Sequence, residues 1–137
     1  MIYKVNKTKD DAIRFLNFIE NDLTVEKMKK DKLKLVLEEL LMNSLNHSSK
    51  NIKPLEIEID INDSYIDIEY HEYSELFNIL DFYEKNHNIL EKMENLEEGG
   101  LGIFLIFNLV KKYEFFYDKT RYKNIMKFKI WAPILKK

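Results

Sequence analysis

The hydrophobic pattern of this chain changes its period on either side of Pro54. Before the proline, apolar residues recur every three or four positions: Leu33, Val36, Leu37, Leu40, Leu41 and Leu45. After it, apolar and polar residues alternate along residues 55–61 and again along 66–71. A period near 3.6 predicts a long helix over residues 31–48, whereas a period of two predicts strands with one face in water. The polar residues 62–64 predict a turn, so we expect the two strands to form an antiparallel hairpin.

Weaker patterns predict further elements around this helix and hairpin. Residues 2–7 alternate as a short edge strand does, and a helix is expected from residues 10–11 to about 21–22. Another helix is expected over 103–112, followed by two aromatic strands near 113–117 and 124–131. Together these elements predict an α+β fold. We expect a two-layer sandwich in which helices cover one face of a mostly antiparallel, mixed sheet.

The composition indicates one domain of an ordinary globular type. The 137 residues are 45% hydrophobic and 34% charged, enough for one core, so residues 1–137 are interpreted as a single domain. The net charge is −2 and only two basic residues are arginine, which argues against direct nucleic-acid binding. The N-terminus lacks the apolar segment of a signal peptide, and no apolar run approaches the ~20 residues of a membrane span. We therefore expect a soluble, cytoplasmic protein without membrane association.

Cysteine is absent, which excludes disulfides, thiolate metal ligands and a cysteine nucleophile. The three histidines, His47, His71 and His87, lack the close spacing of zinc ligands, so no zinc site is expected. We interpret His71 and His87 as surface residues and Trp131 as part of the core. Residues 24–30 are expected to be a solvated connector or a short helical start.

Three polar residues, Glu39, Asn43 and His47, are spaced four apart on the predicted long helix. This spacing places them on one line along the helix, at the border of its apolar face. A carboxylate in such a half-buried row can take a proton from a hydroxyl or water, and an amide oxygen one turn later can bind Mg²⁺. The alternative is a helix border that only meets solvent.

All three glycines of the chain lie in one cluster, Gly99, Gly100, Leu101 and Gly102, directly before the predicted helix 103–112. A helix N-terminus leaves N–H groups unpaired, and glycines let the backbone approach phosphate oxygens closely. The cluster therefore indicates either a phosphate site or a flexible hinge. The preceding residues 74–98 are rich in acidic side chains, and we expect short helical pieces in a mobile loop there.

Taken in this order, the motifs resemble those of a known family. Residues 37–47 (LEELLMNSLNH) look like the N box of the GHKL ATPase superfamily, which has the Bergerat fold. Residues 99–110 (GGLGIFLIFNLV) look like the second glycine box of that superfamily. The sequence is most similar to the bacterial anti-sigma factor serine/threonine kinases, whose length and element order, with a histidine kinase-like ATPase domain, cover the whole chain.

The first glycine box of the family reads Asp-x-Gly-x-x-Phe, and the corresponding residues here are 72–77 (EYSELF). Glu72 has the same strand parity as Ile66 and Ile68, so it is expected to face the core. Glu72 is one methylene longer than Asp, and Ser74 replaces a glycine that allows close approach to the adenine ring. Either Glu72 accepts a hydrogen bond from the adenine amino group, or it turns out to water at the strand end.

The resemblance implies ATP and Mg²⁺ as cofactors. It implies that Glu39 activates the attacking hydroxyl and that Asn43 holds the metal. Residues implied to bind the nucleotide are Asn43, His47, Glu72, Ser74, Gly99, Gly100, Leu101 and Gly102. The implied partners are a sigma factor and an anti-anti-sigma (STAS-type) protein, and a homodimer is a further option.

Two other functions stay open at this point. One is a non-catalytic partner-binding module with a degenerate nucleotide site, which the altered first glycine box favours. The other is a fragment of a sensor histidine kinase, although no helix with a phospho-acceptor histidine precedes the predicted domain. For the ATP-binding function we expect Glu39 and Asn43 to border a pocket closed by residues 74–102, with 82–98 as its mobile lid and Asn43 within about 10 Å of the glycine cluster.

Overall fold

The computed structural model describes residues 1–46, 51–79 and 108–133. These residues form five strands and two helices. In chain order they are β1 (Ile2–Val5), α1 (Lys9–Asn21), α2 (Lys27–Asn46), β2 (Leu55–Ile61), β3 (Tyr65–Tyr73), β4 (Val110–Asp118) and β5 (Lys123–Trp131). The predicted α+β class is confirmed.

The five strands form one sheet in the order β1-β2-β3-β5-β4, and every neighbouring pair is antiparallel. The predicted, mostly antiparallel character of the sheet is confirmed, and no parallel pair occurs among the described strands. The short β1 lies at an edge, as predicted. β2 has the predicted bounds, because its strict alternation continues until the turn at Asn62.

One face of the sheet is apolar and shares a core with both helices. In the β2–β3 hairpin, Ile57 pairs with Tyr70 and Ile59 with Ile68, so inward-facing residues meet across the strands. Helix residues in the same core include Phe15, Ile19, Leu33, Val36, Leu37, Leu40 and Leu41. Burial of each such side chain contributes about 1.5–3 kcal/mol. The opposite face carries charged side chains of β2, β3 and β5, so the fold is a two-layer sandwich.

Helix α2 begins at Lys27, four residues before the predicted start at residue 31. The reason is a buried lysine in its first turn. The Nζ of Lys29 donates to the carbonyl oxygens of Asn62 (2.7 Å) and Asp63 (3.1 Å) in the β2–β3 turn. This contact fixes the first turn of α2 on the hairpin. Of the two expectations for residues 24–30, the short helical start is confirmed from Lys27 onward, and the solvated connector is wrong there.

The connection between β1 and α1 is also fixed. The side chain of Thr8 caps α1 by accepting from the amide of Asp11 (3.2 Å), and the Asp11 carboxylate accepts from the amide of Asn6 (2.6 Å). A hydrogen bond from Arg14 and then the one from Asn6 lower the pKa of Asp11. The backbone of Lys7, between Asn6 and Thr8, is therefore held in place.

Two expectations near the end of the chain are wrong. The helix expected over 103–112 gives way to strand at Val110, which pairs with Ile130 of β5; its earlier residues 103–107 lie outside the described residues. Trp131 is not in the core, since it is 47% exposed and packs edge-on against Tyr65 at 5.1 Å. It has the parity of the outward-facing residues of β5, which places it on the charged face.

Candidate functional site

A cavity of about 200 Å³ lies between α2, the end of β3 and β5. Its apolar walls include Leu40, Phe77, Ile79 and Met126. Its polar walls include Asn43, Ser44, Glu72 and Ser74. Pockets that enclose a whole small ligand typically measure ~300–1,000 Å³, so the space between the described walls has room for only part of such a ligand.

Glu72 lies at this cavity as a buried residue that faces inward from β3. One carboxylate oxygen, Oε1, accepts from the hydroxyl of Ser44 at 2.5 Å. The other, Oε2, is 3.2 Å from the Nζ of Lys7. The strand-parity prediction for Glu72 is confirmed, and the alternative that it turns out to water is wrong.

The hydroxyl of Ser44 links Glu72 to a buried tyrosine. The Tyr70 hydroxyl is 2.6 Å from the Ser44 oxygen and 3.2 Å from the carbonyl oxygen of Leu40. Because Ser44 gives its only proton to the carboxylate, the single proton of Tyr70 is shared between the Ser44 oxygen and the carbonyl oxygen of Leu40. Burial, followed by the charge of Glu72, raises the pKa of Tyr70 well above its ordinary value despite the opposing effect of the Ser44 hydrogen bond. Tyr70 is therefore a neutral donor, and this relay orients Ser44 toward Glu72.

Lys7 supplies the opposite charge for Glu72 from behind the cavity. Its ammonium group contacts Glu72 Oε2 and also donates to the carbonyl oxygens of Tyr73 (3.1 Å) and Asn51 (3.3 Å). An ammonium group has three N–H donors, and three acceptors surround this one. The side chains of Lys7 and Glu72 are only 10% and 12% exposed, so this is a largely buried ion pair. Removing one member of such a pair leaves an uncompensated buried charge, which is strongly destabilising.

Asn43 is buried on α2 and lines the same cavity. Its Nδ2 group makes no hydrogen bond to the residues that the structure describes. An unpaired buried polar group costs ~1–3 kcal/mol, so a bound molecule or water that pairs with this Nδ2 group would remove that cost. The prediction that Asn43 borders the pocket is confirmed.

Ser74, in the position of the family glycine, is held by a residue that the sequence analysis did not identify. Ser74 Oγ accepts from the side-chain amide of Asn124 (2.8 Å) and donates to the carbonyl of Glu75 (3.0 Å). The Oδ1 of Asn124 accepts from the amide of Phe77 (2.9 Å). Asn124 therefore fixes the backbone of residues 74–77 along the cavity wall. Its signal in the sequence is a polar residue with the inward parity of Met126.

Other predicted site residues do not line the described cavity. Glu39 is half-buried one helical turn before Asn43 on α2, but it is not part of the lining. His47 and the glycine cluster 99–102 lie outside the described residues, as do His87 and the whole of the expected lid 82–98. The expected distance between Asn43 and the glycines, and the mobility of the lid, stay predictions.

The comparison with known families agrees with this geometry. The model of the histidine kinase-like ATPase domain matches residues 7–128, most of the chain. The chain belongs to the histidine kinase-like ATPase domain family. A search among curated proteins finds no match. The resemblance to the GHKL superfamily is confirmed, whereas the narrower resemblance to anti-sigma factor kinases stays a prediction.

For a histidine kinase-like ATPase domain the implied ligand is ATP with Mg²⁺, and the residues at the cavity fit it. Asn43 provides a buried Nδ2 group that has no hydrogen-bond partner among the described residues, and Glu72 provides an acceptor beside apolar walls. Across 1–46, 51–79 and 108–133, no group of three or more His, Cys, Asp or Glu could hold a metal ion. Mg²⁺ usually keeps one or two protein oxygens and takes the rest from phosphates and water, so the amide oxygen of Asn43 is a suitable single ligand.

Within the described ranges, no helix is long and apolar enough to cross a membrane.

Proposed function

We propose that this protein is an ATP-binding regulatory protein that acts as an anti-sigma factor serine kinase in a partner-switching module. The observation that carries the proposal is the cavity where the Glu72 carboxylate and the buried amide of Asn43 meet between apolar walls. Family membership gives ATP as the ligand class. The kinase activity and the partners rest on the resemblance in sequence.

In this proposal the base of the nucleotide lies in the cavity between α2, β3 and β5. Leu40, Phe77 and Met126 provide apolar contacts for the faces of a planar ring, and Glu72 accepts a hydrogen bond from an amino group at its edge. Adenine has such an amino group. Guanine has a carbonyl at the corresponding position, and two facing acceptors repel each other. The site is therefore proposed to prefer ATP and ADP over GTP.

The phosphates are placed toward Asn43, with the glycine cluster 99–102 as their second binding element. When bound, Mg²⁺ supplies charge neutralisation for the phosphates. The amide oxygen of Asn43 would bind the metal ion, and its Nδ2 would donate a hydrogen bond to the bound nucleotide.

The proton of the attacking serine hydroxyl is proposed to move to the carboxylate of Glu39. Glu39 is one helical turn from Asn43, so it is placed beside the phosphate end rather than at the base. General base catalysis of this kind contributes about 10²–10⁴-fold in rate.

The serine belongs to an anti-anti-sigma (STAS-type) protein, and the competing partner is a sigma factor. A homodimer is part of the same proposal.

The second candidate function is a non-catalytic partner-binding module with a degenerate nucleotide site. One observation favours it: both oxygens of Glu72 already have internal partners, Ser44 and Lys7. A carboxylate bound in this way is stable in the absence of a base. Under this proposal the sandwich and its partner surface are retained without phosphoryl transfer.

The test combines nucleotide binding with phosphoryl transfer. We expect the parent protein to bind ATP with Mg²⁺ in calorimetry and to transfer phosphate to the serine of a STAS-type protein. Glu39→Gln should bind ATP with similar affinity and lose ~10²–10⁴-fold in transfer rate, because the amide keeps its shape without accepting the proton. Glu38→Gln, the same change at the neighbouring position, is the matched control and should keep both activities.

One outcome tests the role of Glu39, and two others separate the kinase from the binding module. Equal transfer by the parent and Glu39→Gln removes Glu39 from the mechanism. Nucleotide binding without any transfer supports a regulatory module that is not a kinase. If the parent binds no nucleotide at millimolar concentration with Mg²⁺, the proposed enzyme is refuted and the binding module becomes the better account.

A further inference from the structure

We propose that Lys7 is a positioning residue for base selection: it fixes the Glu72 carboxylate so that the cavity accepts a base carrying an amino group. This inference rests on the nucleotide function proposed above. It concerns a residue that lies behind the cavity and is not part of its lining.

The first step of the argument is the length of the side chain at position 72. Glutamate has one more rotatable bond than aspartate, so its carboxylate is placed by its partners rather than by the backbone alone. Two donors from different elements hold the two oxygens separately. Ser44 of α2 holds Oε1 at 2.5 Å, and Lys7 from the β1–α1 connection holds Oε2 at 3.2 Å. The carboxylate therefore has one orientation.

The second step is that Lys7 is itself immobile. Its ammonium group is surrounded by Glu72 and the carbonyl oxygens of Tyr73 and Asn51. Its backbone lies between Asn6, which donates to Asp11 at 2.6 Å, and the helix cap at Thr8. A cation fixed at both ends of its side chain is a rigid anchor.

The third step is what the anchored carboxylate presents to the cavity. An ionised carboxylate has about four acceptor sites and no donor, and Ser44 and Lys7 use two of them. The remaining sites can only accept. A base with an amino group satisfies them, while a base with a carbonyl group faces repulsion. Without Lys7, Oε2 of Glu72 loses the contact that holds it, so the carboxylate can rotate about the Ser44 hydrogen bond and no longer presents its free acceptor sites in one direction.

The test is the ratio of the dissociation constants for GTP and ATP, measured by calorimetry with Mg²⁺. We expect the parent to prefer ATP by about ten- to a hundredfold, the cost of an unpaired buried polar group. Lys7→Met should reduce this preference to below about threefold. Lys7→Arg keeps the positive charge and should retain most of the preference for ATP over GTP. Lys9→Met removes the same charge from an exposed residue two positions away and should leave the ratio unchanged.

A structural role alone lowers stability without changing the ratio, so thermal unfolding is measured for each variant. If Lys7→Met does not fold, Lys7→Gln replaces it, because its amide still donates to the main-chain carbonyls without the charge. A ratio in folded Lys7→Met or Lys7→Gln equal to that of the parent overturns the role of Lys7 and leaves nucleotide binding intact. Equal binding of ATP and GTP by the parent overturns base selection by Glu72, and with it this inference. Absence of all nucleotide binding in the parent overturns the proposed function as well.

Discussion

The hydroxyl of Ser44 is the centre of the buried polar relay, so Ser44→Ala tests whether the relay stabilises the fold. The change removes a 2.5 Å hydrogen bond to an ionised carboxylate and the acceptor of the 2.6 Å bond from Tyr70. Hydrogen bonds to charged groups contribute about 1.5–3 kcal/mol. Tyr70 keeps the carbonyl of Leu40 at 3.2 Å, so its own loss is smaller. We expect the free energy of unfolding to fall by about 2–3 kcal/mol.

The assay is urea unfolding at pH 7, with Ser64→Ala in the β2–β3 turn as the matched control, for which we expect a change within about 0.5 kcal/mol. A double-mutant cycle adds Tyr70→Phe. Because Tyr70 acts through Ser44, the two losses should not add, and a coupling of about 0.5–3 kcal/mol is expected. A loss below about 0.5 kcal/mol in Ser44→Ala, or strict additivity in the cycle, would refute the relay.

Two further predictions concern the charged face and the cavity. The hydrogen bond from Lys123 to Glu56 (2.8 Å), opposed by burial, lowers the pKa of Glu56 from its ordinary value of 4.5. The ionised Glu56 therefore stabilises the fold above that value, and the contribution is lost as pH falls through the lower folded pKa. Lys123→Met should reduce the free energy of unfolding at pH 7, and urea titrations at pH ~3 should show this difference shrinking; a constant difference would contradict the assignment. Asn43→Leu should leave the nucleotide-free protein at least as stable, because it removes a buried Nδ2 group that has no partner among the described residues, while abolishing Mg²⁺-dependent ATP binding. Clear destabilisation in urea would show that the amide has a protein partner.

Elements with a strict local period could be predicted from the sequence. The strands β2 and β3 follow directly from alternation, and the same parity placed Glu72 on the inward face. The sequence left residues 24–30 as either a connector or a helical start, because the choice depends on a bond from Lys29 to the β2–β3 turn that no local pattern contains. The strand at Val110 likewise depends on its pairing with β5.

The site shows the same division between local and distant information. Asn43 could be placed at a pocket from its position on the border of an apolar helix face. The partners of Glu72 could not be predicted, since they come from segments far from it along the chain: Lys7 from the β1–α1 connection and Ser44 from α2. Trp131 was misplaced because its size suggested burial, although its parity in β5 is that of the outward-facing lysines.

The cavity is assembled from segments that are far apart along the chain: α2, the end of β3 and β5, with Lys7 behind it. An unfolded chain does not hold these groups together, so a ligand of this cavity binds the native state alone. Such a ligand stabilises the protein by mass action, by about 2.7 kcal/mol at a concentration a hundred times its dissociation constant. Resistance to proteolysis would therefore rise and fall with the supply of ligand, so the lifetime of the protein is coupled to the ligand concentration in the cell.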